Sequence, residues 1–217
     1  LTGKLGIAYP FIQAPMLGIT SPAMVAAVSN SGGLGSLPVG GLPPEKVTAL
    51  IREVKALTNK PFAVNLFTYE PPAVYNEATF HKMQEFLQFL YGAHQVAAAP
   101  VAYQDIRIHS YREQVPALLA EGISLVSFTF GMPDAATMAT LRAHHCILAG
   151  TATSVGEALA LEMGGVDIIV AQGIEAGGHR GTFLPGRLPQ VSTMALVPQV
   201  VDRVRVPVVA AGGIADG

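Results

Sequence analysis

The chain has 217 residues, half of them apolar and 13% charged, with a formal net charge of −2. That length suits one α/β domain with a sizeable core, and a near-neutral charge without like-charged blocks argues against nucleic acid or an anionic membrane as the main partner. The single cysteine, Cys146, rules out an intrachain disulfide and a four-cysteine metal site, and no apolar run approaches the roughly 20 residues that span a bilayer.

Phe11–Ala14 is the first short apolar run and is expected to be a strand. The turn behind it, Gln13-Ala14-Pro15-Met16-Leu17-Gly18, is either an ordinary βα turn or a place where backbone approaches a flat ligand. Ser21-Pro22 offers an N-cap with Pro at the first helical position, and Gly32-Gly33 a stop. Leu34–Leu37 is the second strand. Residues 43–57 then place Val47, Leu50, Ile51, Val54 and Leu57 on one helical face. Phe62–Phe67 is the third strand, and its Asn65 either binds a ligand through its amide or forms a turn. Residues 68–100 form an elaboration in which Phe80, Met83, Phe86, Leu87 and Leu90 suggest one helix. That helix either lies over the mouth of the fold or is an ordinary outer helix.

Leu125–Phe128 and Cys146–Ala149 are the fourth and fifth strands, with Cys146 expected as a buried small hydrophobe. His144-His145 is expected at a helix C-terminus, where the helix dipole favours it, rather than as a metal pair. Ser154 and Glu157 have capping-box spacing. Asp167–Ala171 is the sixth strand. Residues 193–204 align Met194, Val197, Val200, Val201 and Val204 as a helical stripe, and Val208–Ala211 is the seventh strand. His81, His94 and His109 have no partner discernible from the sequence.

These runs do not alternate apolar with polar, which is the mark of a parallel sheet covered on both faces. The predicted fold is α/β, a TIM-type (β/α)8 barrel with about seven of its eight strands, as a single domain over residues 1–217; a doubly wound open sheet is the alternative. In both, functional groups gather where strands end. After the sixth strand, the ten residues Gln172 to Gly181 hold four glycines with His179 and Arg180 beside them. Such a loop can approach a ligand closely and bind an anion through backbone N–H groups, and a histidine there can serve as base or hydrogen-bond donor. A flexible surface loop is the plain alternative. Gly212-Gly213, after the seventh strand, suits half of a barrel phosphate site. A dinucleotide fingerprint, a Walker loop, HExxH and GxSxG are all absent from the sequence.

Taken together, FIQAPM, SNSGGLGSL, PFAVNLF, VSFTFG, GTATSVGEALALEMGGVD, QGIEAGGHRGTF and VPVVAAGGIADG occur in an order that resembles the nitronate monooxygenase family from Phe11 to Gly217. The resemblance implies a TIM-type barrel carrying non-covalent FMN, and oxidation by O2 of alkyl nitronates of the propionate 3-nitronate type to a carbonyl compound and nitrite. It implies that Ala14 and Met16 line the flavin, that Asn65 and Gln172 hydrogen-bond its ring or ribityl chain, and that Gly177 and Gly178 lie against it. Gly212 and Gly213 would cradle its phosphate, and His179 would be the active-site histidine, with no metal. Thr129 departs from the pattern, standing where well-known members carry histidine. The resemblance also implies an eighth strand beyond residue 217, so the chain is expected to be part of a longer gene product. A cytoplasmic location is expected from the opening LTGKLGIAYP, which lacks a leader pattern, and from the lone cysteine. Rival expectations are an NADH:quinone reductase or flavin-dependent enoyl-acyl carrier protein reductase of the same fold, or a non-catalytic barrel fragment.

Overall fold

The computed structural model describes residues 1–69, 76–105 and 107–214. Residues 70–75 of the predicted elaboration and 215–217 of the closing motif lie outside them. In chain order the elements are α1 (Thr2–Leu5), α2 (Pro22–Asn30), β1 (Gly35–Pro38), α3 (Pro44–Leu57), β2 (Phe62–Phe67), α4 (Glu77–Ala93), α5 (Tyr111–Ala120), β3 (Leu125–Thr129), α6 (Ala135–Ala143), β4 (Ile147–Ala152), α7 (Val155–Gly164), β5 (Ile168–Gln172), α8 (Thr193–Val201) and β6 (Val208–Ala211). The strands pair in the order β1-β2-β3-β4-β5-β6, every pair parallel. No strand order reverses, so there is no switch point of the kind a doubly wound sheet requires. Successive right-handed crossovers in one direction put the helices on one face and leave the other to curl inward. The sheet is an arc of a TIM-type barrel. The first predicted strand contributes only one parallel bridge, Ile12 to Leu34.

The two faces of the sheet carry different residues. Outward side chains such as Leu37, Val64, Leu66, Val126, Phe128, Leu148 and Ile169 form the large core beneath the helices. Inward, Leu34, Ala63, Leu125 and Ile168 make a smaller apolar layer at the strand starts, closed by Leu5 and Ile7 from α1 and the turn after it. With a period of two, the same inward face continues upward through Asn65, Phe67, Ser127, Thr129, Thr151 and Gln172. The apolar floor is therefore at the N-terminal ends of the strands and the polar layer at their C-terminal ends.

Local signals explain most of the helices. Ser21 caps α2 by accepting from the Met24 N–H at 3.2 Å. α2 lies directly on β1, where a Cβ on Gly35 would stand 2.2 Å from the Val25 carbonyl oxygen. On α3, Val47, Ile51 and Val54 are buried, but Leu57, at the helix end, is exposed. Two Ser-x-x-Glu spacings behave differently. Ser110 and Glu113 form a reciprocal capping box on α5, which the sequence reading did not single out. At α7 the predicted box is one-sided: Ser154 accepts from the Glu157 N–H, while the Glu157 carboxylate turns elsewhere.

On α8 the inward residues are Thr193, Leu196 and Val200, whereas Met194 and Val201 of the predicted stripe are exposed. That helix is apolar nearly all round, so several stripes fit and periodicity does not choose between them. α4 buries none of its residues, unlike α2, α3, α5, α6, α7 and α8. Cys146 is buried, and burial pushes its thiol up. His144 ends α6 as predicted and meets the Thr140 carbonyl through Nδ1. His109 lies 2.8 Å from Glu113, and His81 3.6 Å from Glu77. Among the described residues no helix is long and apolar enough to cross a membrane.

Candidate active site

The C-terminal strand ends hold a cavity of about 490 Å³ lined by Phe67, Tyr69, Phe130, His179, Thr182 and Phe183. The His179 ring packs edge-on against Phe67, centroids 5.4 Å apart, and against Phe130 at 5.5 Å. Phe67 and Phe130 meet each other at 5.1 Å, and Tyr69 lies 5.8 Å from Phe130. T-shaped packing of this kind fixes ring orientation without a hydrogen bond. Among the described residues neither imidazole nitrogen of His179 has a hydrogen-bond partner, and no carboxylate lines the cavity.

Backbone geometry makes room for this box. The Phe67 ring covers Gly40, where a Cβ would stand 2.4 Å from the ring. Phe130 has φ 73°, a left-handed conformation that costs a bulky residue energy and that clusters at functional sites. Gly131, at φ 114°, follows it beneath Phe183.

The loop after β5 is held by its own side chains. Gln172 donates to the His179 carbonyl at 2.9 Å and accepts from the Gly181 N–H at 2.8 Å. Arg180 turns inward and donates to the carbonyls of Gln172, Gly173 and Pro189 at 2.8, 2.6 and 3.0 Å. Its charge is directed at backbone carbonyls. Glu175 accepts from the N–H and hydroxyl of Thr193, and these donors, the backbone one foremost, hold its carboxyl below the usual range. The Thr193 hydroxyl, shared between Glu175 and the Gly212 carbonyl 2.8 Å away, joins this loop to the one after β6.

The predicted site residues fall into three places. Asn65 and Thr129 meet inside the barrel arc, where the Asn65 amide donates to Ser127 Oγ at 3.0 Å and Thr129 Oγ1 at 3.2 Å. His179, Gln172, Gly177 and Gly178 share the β5 loop, with Gly212 and Gly213 against it through Ala176 and Glu175. Ala14 and Met16 stand exposed beyond the Ile12 bridge, at the other end of the strand order. Their turn is tied by buried Gln13, which donates to Ala14 O and Thr20 Oγ1 at 2.7 and 3.0 Å. Phe67, Tyr69 and Phe130 were not singled out as site residues, and Glu157 was read from the sequence only as a helix-capping partner. Among the described residues no cluster of His, Cys, Asp or Glu could hold a metal ion.

Comparison with known proteins decides the family. The family model described as nitronate monooxygenase matches residues 1–217. The chain belongs to the nitronate monooxygenase family. It is 46% identical over 219 residues to the nitronate monooxygenase of Pseudomonas aeruginosa, covering all of this chain and 62% of that protein. A probable nitronate monooxygenase of Staphylococcus saprophyticus is 40% identical over 220 residues, again covering all of this chain and 61% of that protein. Nitroalkane oxidase from Streptomyces ansochromogenes superimposes with a TM-score of 0.84 at 33% identity, over 97% of this chain and 60% of that one. FabK from Thermotoga maritima superimposes with a TM-score of 0.72 at 27% identity, over all of this chain and 54% of that one. The chain thus spans about three fifths of the length of the curated relatives it matches.

Proposed function

We propose that this member of the nitronate monooxygenase family carries the FMN and His179 of an enzyme that oxidises alkyl nitronates with O2. The observation that carries the reading is His179, which is held by aromatic rings at the barrel mouth with both nitrogens unpartnered among the described residues. The glycines beside it fit a flat cofactor. A Cβ on Gly177 or Gly178 would meet nothing within 4 Å, so the loop borders open space. Gly212 and Gly213, at φ 113° and 70°, hold a backbone that glycine adopts most readily, at the strand end where the cofactor's phosphate would lie.

Ala14 and Met16 would line the flavin and Asn65 would hydrogen-bond it. Gln172 would serve the site first by holding His179 and Gly181 in place. FMN bound there supplies the electron-accepting chemistry, and the protein supplies binding and orientation.

A nitronate is already a carbanion equivalent and needs no strong base. His179 donates a hydrogen bond to a nitro oxygen, and Phe67, Phe130 and Phe183 hold the alkyl part and exclude water. Overall, two nitronates and one O2 yield two carbonyl compounds and two nitrite ions.

The test is to load the protein with FMN and follow O2 uptake and nitrite release. The nitronate should turn over faster than the neutral nitroalkane of the same chain length. Reduction of the bound flavin by NADH but not by nitronate would overturn this reading in favour of a reductase.

Gly177 gives a separate check on the cofactor site. Gly177→Ala should leave unfolding stability within about 0.5 kcal/mol, since the added methyl meets no protein atom within 4 Å. The same methyl should weaken FMN binding about tenfold, read by fluorescence titration. Unchanged FMN affinity would move the cofactor away from this loop.

A further inference from the structure

We propose that Glu157 is a positioning residue that holds the Thr182–Phe183 wall of the cavity in front of His179, an assignment that rests on reading the cavity as the nitronate site. Glu157 is 1% exposed at the start of α7. Its Oε2 accepts from the N–H and the hydroxyl of Thr153, both at 2.7 Å, at the end of β4. Its Oε1 accepts from Thr182 Oγ1 at 2.5 Å and from the N–H groups of Phe183 at 2.8 Å and Leu184 at 3.2 Å. Five donors thus converge on one carboxylate. Three of them belong to the segment that supplies the cavity's outer wall.

This is more than helix capping. The N-terminus of α7 is already capped by Ser154, and the Glu157 side chain makes no return bond to it. A buried carboxylate is costly unless its oxygens are satisfied, and among the described residues no cation pairs with this one. Burial works to raise its carboxyl, and the donors from Thr182, Phe183 and Thr153 outweigh it and hold the group below its usual range. Neutral donors alone keep it ionised, and they are arranged so that a rigid strand end grips a loop. Leu184 packs on the same helix start, 3.7 Å from where a Gly156 Cβ would stand, and Phe183 packs beside Gly131. Release of Glu157 would therefore free Phe183 and Leu184 together with Thr182.

The experiment compares wild type, Glu157→Ala and Glu157→Gln by amide hydrogen exchange without substrate and by steady-state kinetics of the FMN-loaded protein. In Glu157→Ala the Phe183 and Leu184 amides should exchange at least about tenfold faster while those of β2 and β3 keep their protection. KM for a nitronate should rise about tenfold with kcat changed far less, the signature of lost binding rather than lost chemistry. In Glu157→Gln the amide oxygen can still accept from Thr182, Phe183 and Leu184. Only the Thr153 amide should then exchange faster, with KM close to wild type.

If Glu157→Ala does not fold, the Gln variant decides on the Thr153 amide and KM. Unchanged exchange at Phe183 and Leu184, faster exchange without a change in KM, or a KM in Glu157→Gln as high as in Glu157→Ala would each overturn the assignment. Wild-type protein that ignores nitronates would count against the functional reading, and Glu157 would then be judged on the exchange data, which need no substrate.

Discussion

His179→Asn is expected to lower kcat/KM for a nitronate about a hundredfold, the order of one lost hydrogen bond to a charged group, while FMN remains bound. Asn is smaller, cannot carry a positive charge, and loses the edge-on packing against Phe67 and Phe130. The two ring contacts orient the imidazole in place of the carboxylate that backs a histidine in hydrolytic triads. Loss of the ring should therefore cost orientation and hydrogen bonding together. The measurement is the initial rate of O2 consumption across nitronate concentrations, with the flavin absorption band as the control for occupancy. Kinetics equal to wild type would remove His179 from the reaction and leave the box without a chemical role.

Gly35→Ala should be the most damaging single methyl in the outer layer, costing about 3 kcal/mol of stability. The new Cβ would lie 2.2 Å from the Val25 carbonyl oxygen and 2.8 Å from its carbonyl carbon, both backbone atoms of α2. No side-chain rotation relieves a clash with backbone, so α2 must lift from β1. Urea unfolding gives the number, and Gly92→Ala is the control. Gly92 sits in α4 with nothing within 4 Å of a Cβ, and Ala is the better helix former there. A loss under about 1 kcal/mol at Gly35 would mean that α2 packs differently on the sheet.

The sequence is most legible where local chemistry and function coincide. The strands from Phe62 and Val208 begin and end as their apolar runs do, and Gly177-Gly178-His179 stands out because a loop so rich in glycine has few structural reasons to exist. The aromatic box is illegible for a physical reason. Phe67 ends β2 and Phe130 follows β3, and nothing in the chain marks that Phe130 adopts a positive φ or that Gly40 opens a place for Phe67. Gln172 and Arg180 illustrate a different limit. Polar groups beside a glycine loop suggest ligands, yet the loop's own carbonyls and N–H groups need partners first, and both side chains supply them. Glu157 was expected to satisfy its own helix, and a tertiary demand 25 residues away claims it instead. α8 shows the opposite difficulty, an excess of apolar residues that leaves the inward face undetermined until Thr193 is drawn into the loop network.

The unbroken strand order bears on how such a chain is made. Each of the strands β2 to β6 pairs with the one synthesised just before it, so this part of the sheet can grow from its exposed edge as the ribosome delivers residues. The widest step is from β2 to β3, where Val64 meets Val126 across 62 positions, against 22 from Leu125 to Ile147. Because closure entropy grows only with the logarithm of length, that detour costs about 0.9 kcal/mol more than the shorter step. The segment between β2 and β3 thus adds little to the cost of assembling the sheet. Evolution can lengthen, shorten or replace it there without disturbing the order in which the sheet assembles.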